Sequence, residues 1–179
     1  MNRRITNQQV TLKPQDLMVL LKLLAGSDMA ATYSQLAGEL GMSPSEVHSS
    51  IRRAKAARLV VIDGDRPRVV RTALKEFLLH GAKYAFPATL GSATRGVPTG
   101  YAAPPLSEQL TQSNDLPPVW PDPNGEQRGM SFSPLYPTAP SAARKDKVLY
   151  ELLALFDAVR GGAARERQIA AQLLADRLA

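Results

Sequence analysis

Gln35-Leu36-Ala37-Gly38-Glu39-Leu40-Gly41-Met42-Ser43-Pro44-Ser45-Glu46-Val47 is the stretch whose reading decides the fold. Leu36, Ala37 and Leu40 fall on one helical face, with Ser34 a suitable N-cap before them. Gly41 follows where a left-handed C-terminal residue is expected. Ser43 then caps the next helix, Pro44 takes its first position, and Glu46 completes a capping box. Val47, Ile51 and Ala54 share the inner face of that helix, which fades near Ala57–Arg58. The small Ala37 sits where the two helices cross.

Outward from this pair the punctuation stays regular. Pro14 marks a first helical position and Asp16 lies near the positive dipole end. Leu17, Leu20, Leu21 and Leu24 make one face, and Met18, Val19 and Leu23 add apolar residues almost all round, up to Gly26. Such a helix is buried on more than one side, and in a domain this small the second side is open to a partner chain. After the capped helix, Leu59-Val60-Val61-Ile62 and Arg66-Pro67-Arg68-Val69-Val70 flank an Asp-Gly turn, the pattern of a β-hairpin. Thr72 is placed to cap a further helix over 73–80, ended by His80.

The order helix, helix, tight turn, capped helix, hairpin is that of a winged helix-turn-helix. Residues 35–47 resemble the helix-turn-helix of winged bacterial regulators of the MarR-like type, and Arg58-Leu59-Val60 resembles that family's junction into the wing. The resemblance covers about residues 12–80. It implies a sequence-specific double-stranded DNA-binding transcriptional regulator, a repressor, acting as a homodimer on near-palindromic half-sites. The long segment after the wing departs from that family's pattern.

The residues point the same way on their own. With Val47 inward and about 100° per residue, Ser45, Ser49, Arg52 and Ala56 face outward, flanked by His48 and Arg53. Ser45, His48, Ser49, Arg52 and Arg53 are therefore the candidates to read base edges, since arginine can hold guanine bidentately and Ser and His can bond several bases. Ser43, Lys55, Arg58, Arg66, Arg68 and Arg71 are the candidates to hold phosphates, which fixes register and makes affinity salt-dependent. Asp63 and Asp65 read as turn residues.

Composition divides the chain of 179 residues into 1–80, the winged domain; 81–140, an irregular strap; and 141–179, a C-terminal helical hairpin that could serve oligomerisation. The fold class expected is mainly α with a small β-hairpin wing. The strap holds 11 of the 14 prolines and six of the ten aromatics but only seven charges. Proline opposes helix and central strand, while aromatics without charge argue for packing on a folded surface of this chain or a partner. Pro117-Pro118-Val119-Trp120-Pro121-Asp122-Pro123 is the segment best suited to polyproline docking. In the last zone Val148, Leu149, Leu152, Leu155, Phe156 and Val159 form one apolar stripe, Gly161-Gly162 a break, and Ile169, Ala170, Leu173, Leu174 and Leu178 a second.

The remaining classes are narrowed by what the chain lacks. It has no cysteine, so disulfides, thiolate metal sites and a cysteine nucleophile are excluded. Two histidines leave little for a zinc site or a relay base, and no acid–base pair is visible, so neither metal, cofactor nor enzyme activity is expected. Gly91-Ser92-Ala93-Thr94-Arg95-Gly96 lacks the Gly-Lys-Ser/Thr ending of a phosphate loop and reads as a turn. Arg3-Arg4 is not followed by a signal-peptide apolar region. The longest apolar run, Leu17–Leu24, is interrupted by Lys22 and falls far short of the roughly 20 residues that cross a membrane. A cytoplasmic setting without membrane contact is expected. The net charge of +6 suits an anionic partner. The alternative to DNA binding is a protein-interaction role, antitoxin-like, using the strap or the C-terminal helices on a neighbouring gene's product.

Overall fold

The structure, a computed structural model, describes residues 10–26, 32–110 and 115–179. Arg3 and Arg4 lie outside the described residues. The architecture is mixed: largely helical, with a small two-stranded antiparallel sheet, a second group of strands, and a C-terminal helical hairpin.

Helix α1 (Pro14–Ala25) opens on proline, and the Asp16 carboxylate accepts the Lys13 backbone N–H at 2.9 Å. Helix α2 (Tyr33–Leu40) starts two residues earlier than a Ser34 cap would place it: Thr32 is the N-cap, and its side chain accepts the Gln35 N–H. Gly41 ends α2 at φ 64°, and the Gly41 and Met42 N–H groups both reach the Ala37 carbonyl. That left-handed turn costs a side-chain-bearing residue about 1 kcal/mol or more, which glycine avoids. Helix α3 (Pro44–Ala56) is capped by Ser43, with Glu46 returning the bond, as the capping box requires.

Strands β1 (Val60–Asp63) and β2 (Arg66–Val69) pair antiparallel with Val60 opposite Val69. Pro67 sits opposite Ile62, tolerated because a two-stranded ribbon has only edges. The helix after the hairpin differs from the expectation at both ends. Helix α4 (Arg71–Glu76) has Val70, not Thr72, at its N-cap. It then runs through a π-helical turn (Phe77–Gly81) into α5 (Ala82–Ala85), so His80 lies inside the run rather than ending it.

The strap is where the structure departs most. Residues 81–140 contain β3 (Leu90–Pro98), β4 (Pro118–Pro121) and β5 (Gln127–Phe132), each paired with the other two. So tight a closure needs missing side chains. A Cβ on Gly96 would run into the Trp120 carbonyl, and one on Gly129 into the Pro117 carbonyl. The segment proposed for polyproline docking is instead β4, with Val119 and Trp120 fully buried. Phe86 and Phe132 are buried as well, whereas Tyr84 is 76% exposed.

The last zone comprises α6 (Ala139–Lys145), α7 (Lys147–Gly161) and α8 (Ala164–Arg177), with α7 and α8 forming the hairpin. Helix α7 is buried continuously from Leu152 to Val159 and packs on α1. The second apolar side of α1 is thus covered by the chain itself, and α1 gives no reason to invoke a partner. Buried residues of α1–α3, the hairpin, the strand unit and α6–α8 join one core.

Two buried polar clusters stitch it. Arg53 Nε and Nη2 grip the Asp16 carboxylate at 2.8 and 2.5 Å, tying α3 to α1. Asp157, on α7, accepts from Thr99 Oγ1 at 2.7 Å, Trp120 Nε1 at 2.6 Å and Arg160 Nε at 2.8 Å. Burial raises the Asp157 carboxyl above its usual range, opposed by the charge of Arg160 and the bonds from Thr99, Arg160 and Trp120. Arg160 also donates to the Ser133 carbonyl at 2.7 Å and lies over the Phe132 ring. Tyr150 donates to the Pro98 carbonyl at 2.7 Å, and burial pushes its hydroxyl up to about 12.

Candidate nucleic-acid interface

Helix α3 owes its exposed face to its partition: Val47, Ser50, Ile51 and Ala54 are buried, and what remains faces out. Ser45, His48 and Arg52 are exposed and Ser49 is half-buried. These four candidates share one face. Arg53 does not belong with them. Its guanidinium turns inward onto Asp16, itself 1% exposed, and also bonds Ser50 Oγ at 3.3 Å. Removing it from Asp16 would strand a buried carboxylate, so Arg53 holds α3 to α1. The sequence signal was present: Asp16 is the only charge between Lys13 and Lys22.

The phosphate candidates divide as well. Ser43 spends its hydroxyl on Glu46 as the helix cap. Arg71 Nη1 donates to the Arg177 carbonyl at 3.0 Å. Arg68 stands 3.7 Å from Asp63, a loose pair with both side chains largely in water and worth little. Lys55, Arg58 and Arg66 are exposed. Among the described residues, Arg52, Lys55, Arg58 and Arg66 make no ion pair.

Arg58 has a special backbone. It sits at φ 61° just past Ala57, the C-cap of α3, its N–H bonded to the Lys55 carbonyl and the Leu59 N–H to the Ala54 carbonyl. This is a Schellman ending with arginine at the position glycine usually takes. It turns the chain sharply into β1.

Two contacts that sequence reasoning missed join these parts. The His48 ring meets Tyr33, at the start of α2, edge to face at 5.8 Å between centroids. Tyr33 also lines a cleft of about 990 Å³ whose other wall is the hairpin, with Arg66 and Arg68, and the start of α4, with Arg71. The outer face of α3, Tyr33 and the hairpin arginines therefore follow one another around the surface. The other contact is made by Tyr136, whose hydroxyl donates to Glu46 Oε1 at 3.0 Å.

No protein-family model, curated protein or solved structure matches the chain. Among the described residues, no helix is long and apolar enough to cross a membrane.

Proposed function

We propose that α1–α3 and the β1–β2 hairpin form a winged helix-turn-helix, and that the chain is a cytoplasmic, sequence-specific regulator of transcription bound to double-stranded DNA. The likeness of residues 35–47 to MarR-like regulators points the same way. The observation that carries the reading is the division of the basic residues. Arg53 is consumed by the core, while Arg52, Lys55, Arg58 and Arg66, among the described residues, have no ionic partner on the side where Ser45, His48 and Ser49 are presented. A helix with short polar groups at its N-terminal half and cations at its C-terminal half suits a major groove and its flanking phosphates.

Selection from a random duplex pool tests it. A specific site should emerge, and binding to it should weaken with salt at a logarithmic slope of about −3 to −4, as expected for four neutralised phosphates. Arg52→Ala should relax preference at one position by about 1–3 kcal/mol. A near-palindromic site would add a second protomer to the reading. Enrichment of no duplex, with the protein folded, would sink it. A protein co-purifying in place of DNA would favour the interaction role, for which Tyr84 and Leu90, 76% and 64% exposed, offer apolar surface.

A further inference from the structure

The segment before α6 grips both sides of the α2–α3 turn. Leu135 is buried, and Thr138 Oγ1 donates to the Leu40 carbonyl, the last of α2, at 2.6 Å. The Thr138 side chain packs beside Gly41. One turn further, the Tyr136 hydroxyl reaches Glu46 in the first turn of α3. Glu46 is the only acidic residue of α3. Its Oε2 accepts the Ser43 N–H and hydroxyl, both at 2.8 Å, and its Oε1 faces Tyr136. Both carboxylate oxygens are thus occupied, next to Ser45 on the face assigned to DNA. A carboxylate released there would stand among phosphates and repel them.

We infer that Tyr136 is a positioning residue for α3: it pins the one acidic side chain of the DNA-facing helix and fixes the first turn of that helix to the second half of the chain. This rests on the DNA reading above. It also makes binding a property of more than the helix-turn-helix, since the anchor lies 90 residues away in sequence. In keeping with the geometry, Ser43 and then Tyr136 hold the Glu46 carboxyl below its usual range.

The test is a double-mutant cycle on the full chain, read as affinity for the duplex that the wild type selects. Tyr136→Phe keeps the ring and removes the bond. It should weaken binding about tenfold, the lower end for one hydrogen bond to a charged group. Glu46→Gln keeps the capping geometry and removes the charge. In that background the Tyr136→Phe effect should shrink below about twofold, because the residue acts through the carboxylate. Equal losses in both backgrounds, or none in either, would overturn the inference while leaving the DNA reading standing. If the wild type selects no duplex, the DNA reading has failed instead. The latch is then judged by the Glu46 carboxyl titration followed by NMR, which must move up in Tyr136→Phe; an unmoved titration rejects it.

Discussion

The helix-and-hairpin half (10–85) and the strand unit (90–132) hide their backbone polar groups with opposite materials. In the first, hydrogen bonds are local: helices with periodic leucines, capped by Thr32 and Ser43 and ended by Gly41. In the second, three short strands close on one another only because glycines let backbones touch, and their polar groups are anchored from outside by Asp157 and Arg160 of α7. Each region also depends on one buried Asp–Arg pair, the strand unit borrowing its pair from α7. Asp16–Arg53 keeps the arginine side chain 17% exposed; Asp157–Arg160 leaves only 4%. A locally instructed half should tolerate a lost contact better than a half held by one shared cluster.

The largest effect should come from Asp157→Ala. It strands the Arg160 charge and leaves the Thr99 hydroxyl and Trp120 indole N–H without their acceptor. The expected loss is about 3–5 kcal/mol in urea unfolding. Asp16→Ala should cost less, about 2–3 kcal/mol, because Arg53 can turn to water. If Asp16→Ala proves the more damaging, the contrast between the halves is reversed.

Gly96→Ala comes next. Its Cβ meets backbone at Trp120, which cannot rotate aside, so about 3 kcal/mol is expected. Gly41→Ala, in the other half, faces left-handed strain and only the Thr138 side chain. About 1 kcal/mol should suffice there. Thermal unfolding of both variants decides, and equal losses would remove the argument from close approach.

The same contrast explains what the sequence disclosed. Helices α1–α3, the hairpin and the α7–α8 pair are written in spacing and punctuation, since Pro14, Gly41, Ser43-Pro44 and Gly161-Gly162 act within a turn of themselves. The strands of 90–132 carry no such signal. Their prolines and glycines look like a loop, because what they permit is contact with a strand some 20 to 40 residues away. Pro118 and Pro121 stand at the two ends of β4, where proline is tolerated, and only Val119 and Trp120 between them point to a buried strand. At the candidate interface, Ser45, His48, Ser49 and Arg52 follow from helical periodicity. Arg53 does not, since its partner Asp16 is on another helix, and the same holds for Tyr136 and Glu46.

The helix-and-hairpin half meets α7 at Lys22, whose ammonium bonds Asp146, the N-cap of α7, at 2.6 Å and Glu39 of α2 at 2.8 Å. Burial pulls the Lys22 pKa down, but the hydrogen bonds it donates to Asp146 and Glu39, and their charges, outweigh it, so the net shift is upward. A raised lysine stabilises the fold fully below its ordinary value of about 10.4, and the contribution disappears as pH climbs through the raised one. Asp146 has the opposite sign: burial pushes it up, yet the Leu149 N–H and Lys22 hold it low. Its contribution is present above about 3.9 and is lost as pH falls through the lowered value. Lys22→Met should therefore flatten the alkaline limb of a stability–pH profile, and an unchanged limb would show that the Lys22 charge adds nothing to the contact between α1 and α7.

The smallest effect separates fold from function at a single residue. Arg58 occupies a left-handed position that glycine fills without strain, at a cost of about 1 kcal/mol. Arg58→Gly removes that strain but frees the unfolded chain, so stability should hold or rise by up to about 1 kcal/mol. The exposed side chain makes no ion pair among the described residues, so its loss takes nothing from the fold. If the arginine is there for a phosphate, the same variant should bind the selected duplex more weakly, with a salt slope shallower by about one. Stability retained with binding weakened would mean that α3 ends on a strained arginine because the ligand needs the charge. Binding and slope both unchanged would leave Arg58 out of the interface and confine it to Arg52, Lys55 and the hairpin.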